Sequence, residues 1–176
     1  MDYRFTLYRE WGIGPKLGWV MLNPSTADDR TDDATIRKCI GFTTRAGRTR
    51  VELFAERAAR PDALHPHGGY CGLMVANLYP VRATFPTDLR GMALADRIGD
   101  LAMANYAIRE LGSMCLNIVV AWGSHGAAHP DRTARVVDLL RETGAQLWCL
   151  GTTRGGQPRH PGRVGYDVPL STWGSR

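Results

Sequence analysis

The sequence predicts one three-layer α/β/α domain over residues 1–176, built on a central, mostly parallel sheet. Two observations carry the prediction. Apolar strand-like runs alternate along the chain with stretches of helical periodicity, the pattern that right-handed crossovers turn into a parallel sheet. The 176 residues, 44% hydrophobic and 22% charged, supply one core of ordinary size and match the average of folded domains. That composition excludes collagen-like, coiled-coil and wholly disordered chains.

Tyr3 to Glu10 alternates, with Phe5 and Leu7 on one face and Arg4, Thr6 and Tyr8 on the other, and predicts an antiparallel edge strand. Gly12, Gly14 and Pro15 punctuate the chain before Leu17 to Leu22, whose continuous apolar character suits an interior strand covered on both faces. Thr31 or Asp32 can cap a helix over Asp33 to Ala46, closed by Gly47. Residues 48–69 are polar and basic, with Pro61, Pro66 and the Gly68, Gly69 pair, and read as an excursion in which Val51 to Arg60 can form a short helix.

Leu73 to Leu78 is the second core strand, followed by a loop over Tyr79 to Pro86. Asp96 to Leu111 repeats at helical spacing, Leu116 to Trp122 is the third core strand, Asp131 to Thr143 is a helix and Gln146 to Leu150 is the fourth core strand. Residues 162–176 read as an irregular tail.

The formal charge is +5, and of 22 basic residues only Lys16 and Lys38 are lysine. Guanidinium forks bind phosphate at two points and stack on rings, so this bias fits a surface that meets nucleotides or nucleic acid. Cys39, Cys71, Cys115 and Cys149 form no Cys-x-x-Cys pair, which argues against a zinc ribbon or local iron-sulfur motif. Cys115 and Cys149 read as reduced, buried thiols. Met1 to Arg4 opens directly into an alternating strand and no apolar run reaches the roughly 18 residues of a membrane helix, so a cytoplasmic protein without membrane partners is expected.

In open parallel sheets ligands bind beyond the carboxyl ends of the strands, so the residues just after each strand carry the chemistry. They read Asn23-Pro24-Ser25-Thr26-Ala27-Asp28, then Asn77-Leu78-Tyr79 with Arg82, then Trp122-Gly123-Ser124-His125, and finally Gly151-Thr152-Thr153 running to Arg159, His160 and Pro161. Pro158 and Pro161 restrict the backbone around His160 to an extended loop, which suits aiming an imidazole.

Asp28, Asp29, Asp32 and Asp33 raise two possibilities: a magnesium site, or helix capping with Asp28 or Asp32 as a general base. Capping is the reading adopted, and no metal or cofactor is expected. Gly151 to Gly156 lacks the Gly-Lys-Ser/Thr ending of a phosphate loop, and no Gly-x-Gly-x-x-Gly or Gly-x-Ser-x-Gly occurs. Nucleotide hydrolysis, dinucleotide oxidoreduction and serine hydrolysis are therefore disfavoured. His65 and His67 read as solvated residues of the excursion, and His125 and His129 as rim or loop residues.

Met21-Leu22-Asn23-Pro24-Ser25-Thr26-Ala27-Asp28, Asp32-Asp33-x-Thr35-Ile36-Arg37, Asn77-Leu78-Tyr79-Pro80-x-Arg82-Ala83-Thr84, Ala121-Trp122-Gly123 and Leu150-Gly151-x-Thr153-x-x-Gly156-x-Pro158-x-His160-Pro161 closely resemble the bacterial and phage family of unknown function DUF1643. The resemblance covers Phe5 to Pro161. More distantly, Leu22-Asn23-Pro24 is similar to the Asn-Pro motif of mismatch-specific uracil- and thymine-DNA glycosylases, and His160-Pro161 to the His-Pro-Ser of other uracil-DNA glycosylases. Gly162 stands where that motif has serine, and Asn77 follows the second strand as in several of those enzymes.

This likeness implies a uracil-DNA-glycosylase-like core with strand order 2-1-3-4. It also implies an N-glycosidic chemistry, in which an oxocarbenium-like sugar needs a positioned water on one face and donors for the charge on the departing base. On that basis Asn23, Asp28, Asp32 and His160 are the catalytic candidates. Pro24, Ser25, Thr26, Asn77, Tyr79, Arg82, Trp122, Gly123, Gly151, Thr152 and Arg159 are the substrate-binding candidates, with Asn77 reading a base edge and Tyr79 stacking on the base. The expected function is a nucleobase-binding enzyme acting on a base in nucleic acid or a nucleotide. The alternative is a noncatalytic nucleotide or nucleic-acid binding module using the same cleft.

Overall fold

The computed structural model describes residues 1–24, 27, 31–55, 69–83 and 86–174, with the backbone alone at 47–55 and at 86. The elements are β1 (Thr6–Glu10), β2 (Lys16–Met21), α1 (Ala34–Ala55), β3 (Gly72–Asn77), α2 (Leu94–Ile98), α3 (Leu101–Met114), β4 (Asn117–Val120), α4 (Pro130–Glu142), β5 (Gln146–Cys149) and β6 (Ser171–Thr172). Short 3-10 turns occupy Pro86–Gly91, Ser124–Ala128 and Pro161–Arg163. The fold is α/β, with one mixed six-stranded sheet in the order β1-β3-β2-β4-β5-β6. β3, β2, β4 and β5 run parallel, while β1 pairs antiparallel with β3 and β6 antiparallel with β5.

Strand side chains alternate between faces, and both faces of this sheet are covered, which is why the inner strands read as unbroken apolar runs. Val20, Met74, Ile118 and Val120 pack against Ile108 and Leu111 of α3 and Val136 and Leu140 of α4. Leu17, Trp19, Leu73, Val75 and Val119 pack on the other face with Ile36, Cys39 and Phe42 of α1. Arg132 in the first turn of α4 is buried and donates to the Leu78 carbonyl at 2.7 Å and Asn105 Oδ1 at 2.6 Å, tying α4 to the end of β3 and to α3.

Three helix boundaries differ from the sequence expectation. The cap of α1 is Asp33 rather than Thr31 or Asp32, because Asp33 Oδ1 accepts the Ile36 N–H at 2.8 Å. Gly47 does not close that helix, which runs on to Ala55 and takes in the first part of the excursion; an interior glycine costs only about 1 kcal/mol. Residues 56–68, the rest of the excursion, lie outside the described residues.

The single helix expected over Asp96 to Leu111 is two. Gly99 adopts φ +61°, a Cβ there would lie 2.8 Å from the Tyr3 ring, and Asp100 restarts the helix by accepting the Met103 N–H at 3.0 Å. The tail is also ordered beyond expectation, since Ser171–Thr172 adds β6 and Trp173 packs edge-on against Trp122 with ring centroids 5.4 Å apart.

All four cysteines are free and buried. Burial pushes the Cys115 thiol up to about 11, so it is inert as a nucleophile near neutrality. No helix among the described residues is long and apolar enough to cross a membrane.

Candidate functional site

The chain leaves β2 through α1 toward β3 and leaves β4 through α4 toward β5, so the crossovers diverge between the adjacent strands β2 and β4. A parallel sheet opens a crevice at such a switch point, outside the carboxyl ends. A cavity of about 500 Å³ lies there, lined by Leu22 and Asn23 after β2, Trp122 to His125 after β4, and Thr153, Arg159, His160, Arg163 and Val164 after β5. Its size is that of an ordinary small-ligand site.

Asn23 is fixed by its amide. Nδ2 donates to the carbonyls of Pro24 at 2.9 Å and Ala83 at 2.8 Å. Two carbonyl partners can be met only by the NH2 end, so Oδ1 is left as an acceptor. Around it the loop is braced by side chains: the Ala27 carbonyl accepts from Arg4 and Arg82, the Pro24 carbonyl also accepts the Ala83 N–H, and Asp32 pairs with Arg9 at 2.7 Å.

His160 is fixed from the backbone. It is extended, with φ −75° and ψ 135°, and its Nδ1 accepts the Gly162 N–H at 3.2 Å. A neutral imidazole so bonded carries its proton on Nε2. Burial pushes the imidazole below its ordinary value, Asp33 acts against that shift, and the charges of Arg163 and His125 reinforce it. His160 is therefore neutral at pH 7 and donates from Nε2.

Gly123 is required beside it. Its φ is +72°, and a Cβ would stand 3.2 Å from that of His160. The loop before His160 closes on itself through Thr153 N–H to the Gln157 carbonyl at 2.7 Å and Gln157 N–H to Thr153 Oγ1 at 3.1 Å. It is pinned to the β4 end by Gly123 N–H to the Pro158 carbonyl at 2.9 Å and Trp122 Nε1 to Gln157 Oε1 at 2.8 Å.

Of the expected site residues, Asn23, Trp122, Gly123, Arg159 and His160 line this cavity. Gly151 and Thr152 shape the loop behind it, Gly151 accepting the Arg159 N–H at 3.0 Å and Thr152 bridging to Pro158. Pro24 is buried in the braced loop, and Arg82 pairs with Asp2 at 3.2 Å. Ser25, Thr26 and Asp28 lie outside the described residues.

Three expectations are corrected. Asp32 spends its carboxylate on Arg9, and Asp33 is the acid whose charge reaches His160. Tyr79 is only 2% exposed and packs edge-on against His129 at 4.9 Å, so protein already occupies the ring and no base can stack on it. Asn77, 5% exposed, sits beside Met21 at the end of β3 and does not line the cavity, although its buried Oδ1 has no hydrogen-bond partner.

Ser124, His125, Thr153 and Arg163 line the cavity without having been singled out as contacts. His125 was visible as a strand-end residue. Arg163 had only its closeness to His160 in sequence as a signal. Among the described residues, no cluster of His, Cys, Asp or Glu is arranged to hold a metal.

No curated protein and no solved structure matches the chain. The model of the family described as proteins of unknown function, DUF1643, matches residues 4–68 and 64–162. These stretches hold the cavity's lining residues as far as His160, and the chain belongs to the DUF1643 family.

Proposed function

We propose that this DUF1643 protein is a nucleobase-binding enzyme of uracil-DNA-glycosylase-like architecture, acting on a base in nucleic acid or in a nucleotide. The observation that carries the reading is that Asn23 and His160 line one cavity, the first with an acceptor oxygen that no described residue takes up and the second with a donor N–H. The three-layer form of the fold, with core order 2-1-3-4, belongs to the same reading. It is supported by the parallel run β3-β2-β4-β5 and by apolar clusters on both sheet faces.

In this reading Asn23 Oδ1 accepts from a water and holds it against the sugar carbon; as the carbon–nitrogen bond breaks with its electron pair leaving on the base, the water oxygen bonds to that carbon and the water's proton passes to the departing base. His160 Nε2–H donates to a carbonyl of the departing base, where negative charge collects. A neutral imidazole suits this role, since its donor is aimed before the charge develops. The test is base release from modified-base oligonucleotides and nucleosides. Release that disappears in Asn23→Ala, and falls in His160→Gln by about 1 to 3 kcal/mol of transition-state stabilisation while the fold survives, supports the enzyme.

One observation favours the noncatalytic binding module instead: no carboxylate lines the cavity among the described residues, so none of these supplies a carboxylate base. Binding without turnover, unchanged in Asn23→Ala, would select the module.

A further inference from the structure

We propose that the ligand of this cavity is a free nucleoside monophosphate, its phosphate dianion held by Arg159 and Arg163; this rests on the nucleobase reading above and narrows it. The basis is how the basic side chains are spent. Arg9, Lys16, Arg82, Arg109 and Arg135 all form ion pairs, with Asp32, Glu10, Asp2 and, for the last two, Glu142. Arg159 and Arg163 form no ion pair and no side-chain hydrogen bond among the described residues, yet both line the same cavity.

No acid among the described lining residues balances them, and the charges of Arg163 and His125 both reach His160. Asp33, whose charge reaches His160, is not among the described lining residues, so Arg159 and Arg163 repel one another across the cavity, and a bound anion relieves that repulsion. Two guanidinium forks match the several oxygens of a terminal phosphate, and such charge-assisted bonds are the strong kind. The cavity of about 500 Å³ is of the size that encloses a single small ligand. An internal phosphate of a polymer carries one charge and calls for cations set out along a path, whereas Arg159 and Arg163 converge on one chamber.

Calorimetric titration of the intact protein with the four deoxynucleosides, their 5′-monophosphates and a single-stranded oligonucleotide of mixed sequence tests this. The expected result is that at least one monophosphate binds about tenfold or more tightly than its nucleoside. In the Arg159→Gln, Arg163→Gln double variant that ratio falls close to one, and inorganic phosphate competes with the monophosphate in the unmodified protein. Nucleosides binding as tightly as their monophosphates would overturn the inference while leaving the nucleobase reading intact. The oligonucleotide binding more tightly than every monophosphate, with steep loss in salt, would overturn it in favour of a polymer. If nucleosides, monophosphates and the oligonucleotide all fail to bind, both readings fail together.

Discussion

The two walls of the cavity are held in opposite ways. On the Asn23 wall the side chains do the holding: Arg4 and Arg82 on the Ala27 carbonyl, Arg9 on Asp32, Arg37 on the Asp32 carbonyl at 2.5 Å, and the Asn23 amide on Pro24 and Ala83. On the His160 wall the backbone does most of it, through Gly123 to Pro158, Arg159 to Gly151 and Gly162 to His160. Side chains used as braces are unavailable to a ligand. Side chains on a backbone-held loop keep their charges and donors, so in the proposed reading recognition belongs to the His160 wall and Asn23 contributes one fixed acceptor.

The largest effect expected from breaking this arrangement is at Trp122, the aromatic side chain that serves the second wall as a support. It is fully buried, packs on Trp173 and donates to Gln157. Trp122→Ala removes a large core side chain and the loop's anchor together, and should cost about 3 to 5 kcal/mol in a denaturant titration. A loss below about 1 kcal/mol would mean that the backbone bonds hold the loop alone.

Next comes Asn23→Ala, which takes the amide donor from two carbonyls, leaving that of Pro24 only the Ala83 N–H, and should destabilise the fold by about 1 to 2 kcal/mol. Neutral stability would show that the Asn23 wall does not depend on its amide. The variant must therefore be compared as folded protein when activity is read.

The α/β class and the positions of the inner strands were legible because a strand buried on both faces leaves an unbroken apolar run, as at Leu17–Leu22 and Leu73–Leu78. β6 was not, since Ser171–Thr172 pairs through backbone groups and carries no apolar pattern. The break at Gly99 was hidden because helical periodicity continues across it, and the close packing that calls for glycine there comes from Tyr3, 96 positions away in the chain. In the site, Asn23 and His160 were legible from strand ends and flanking prolines. The commitment of Asp32 to Arg9 and the burial of Tyr79 arise from pairing across the sheet, which local spacing does not encode.

Acid acts on the second wall through His160. Burial holds His160 and His129 below the ordinary value of 6.5, with Arg97, His125 and Arg90 adding to the effect at His129. In the unfolded chain these imidazoles take protons at about 6.5, and in the fold only at lower pH. Between those values the unfolded state binds more protons, so the stability they contribute is complete above about 6.5 and is lost as pH falls toward the folded values. Denaturation midpoints should decline from pH 7 to 5, and the decline should be shallower in His160→Gln. An equally steep decline in that variant and in His129→Gln would assign the acid sensitivity elsewhere. Imidazole nitrogen spectra at pH 7 should show the His160 proton on Nε2.

The smallest effects discriminate most finely between the walls. Arg9→Gln breaks a pair that is partly exposed, so solvent screening limits the loss to about 0.5 to 1 kcal/mol. Arg159→Gln and Arg163→Gln remove charges that no described residue pairs with, and each should leave stability within about 0.5 kcal/mol of the parent. Removing the Arg163 charge also relieves repulsion on His160, so His160 should take its proton at a higher pH in Arg163→Gln, because Arg163 is among the charges that lower it. Thermal or denaturant midpoints for the three variants, with a nuclear magnetic resonance titration of His160, give both readouts from the same samples. A loss at Arg163 as large as that at Arg9, with the His160 titration unmoved, would mean that Arg163 is a brace like the others and that the two walls are not different in kind.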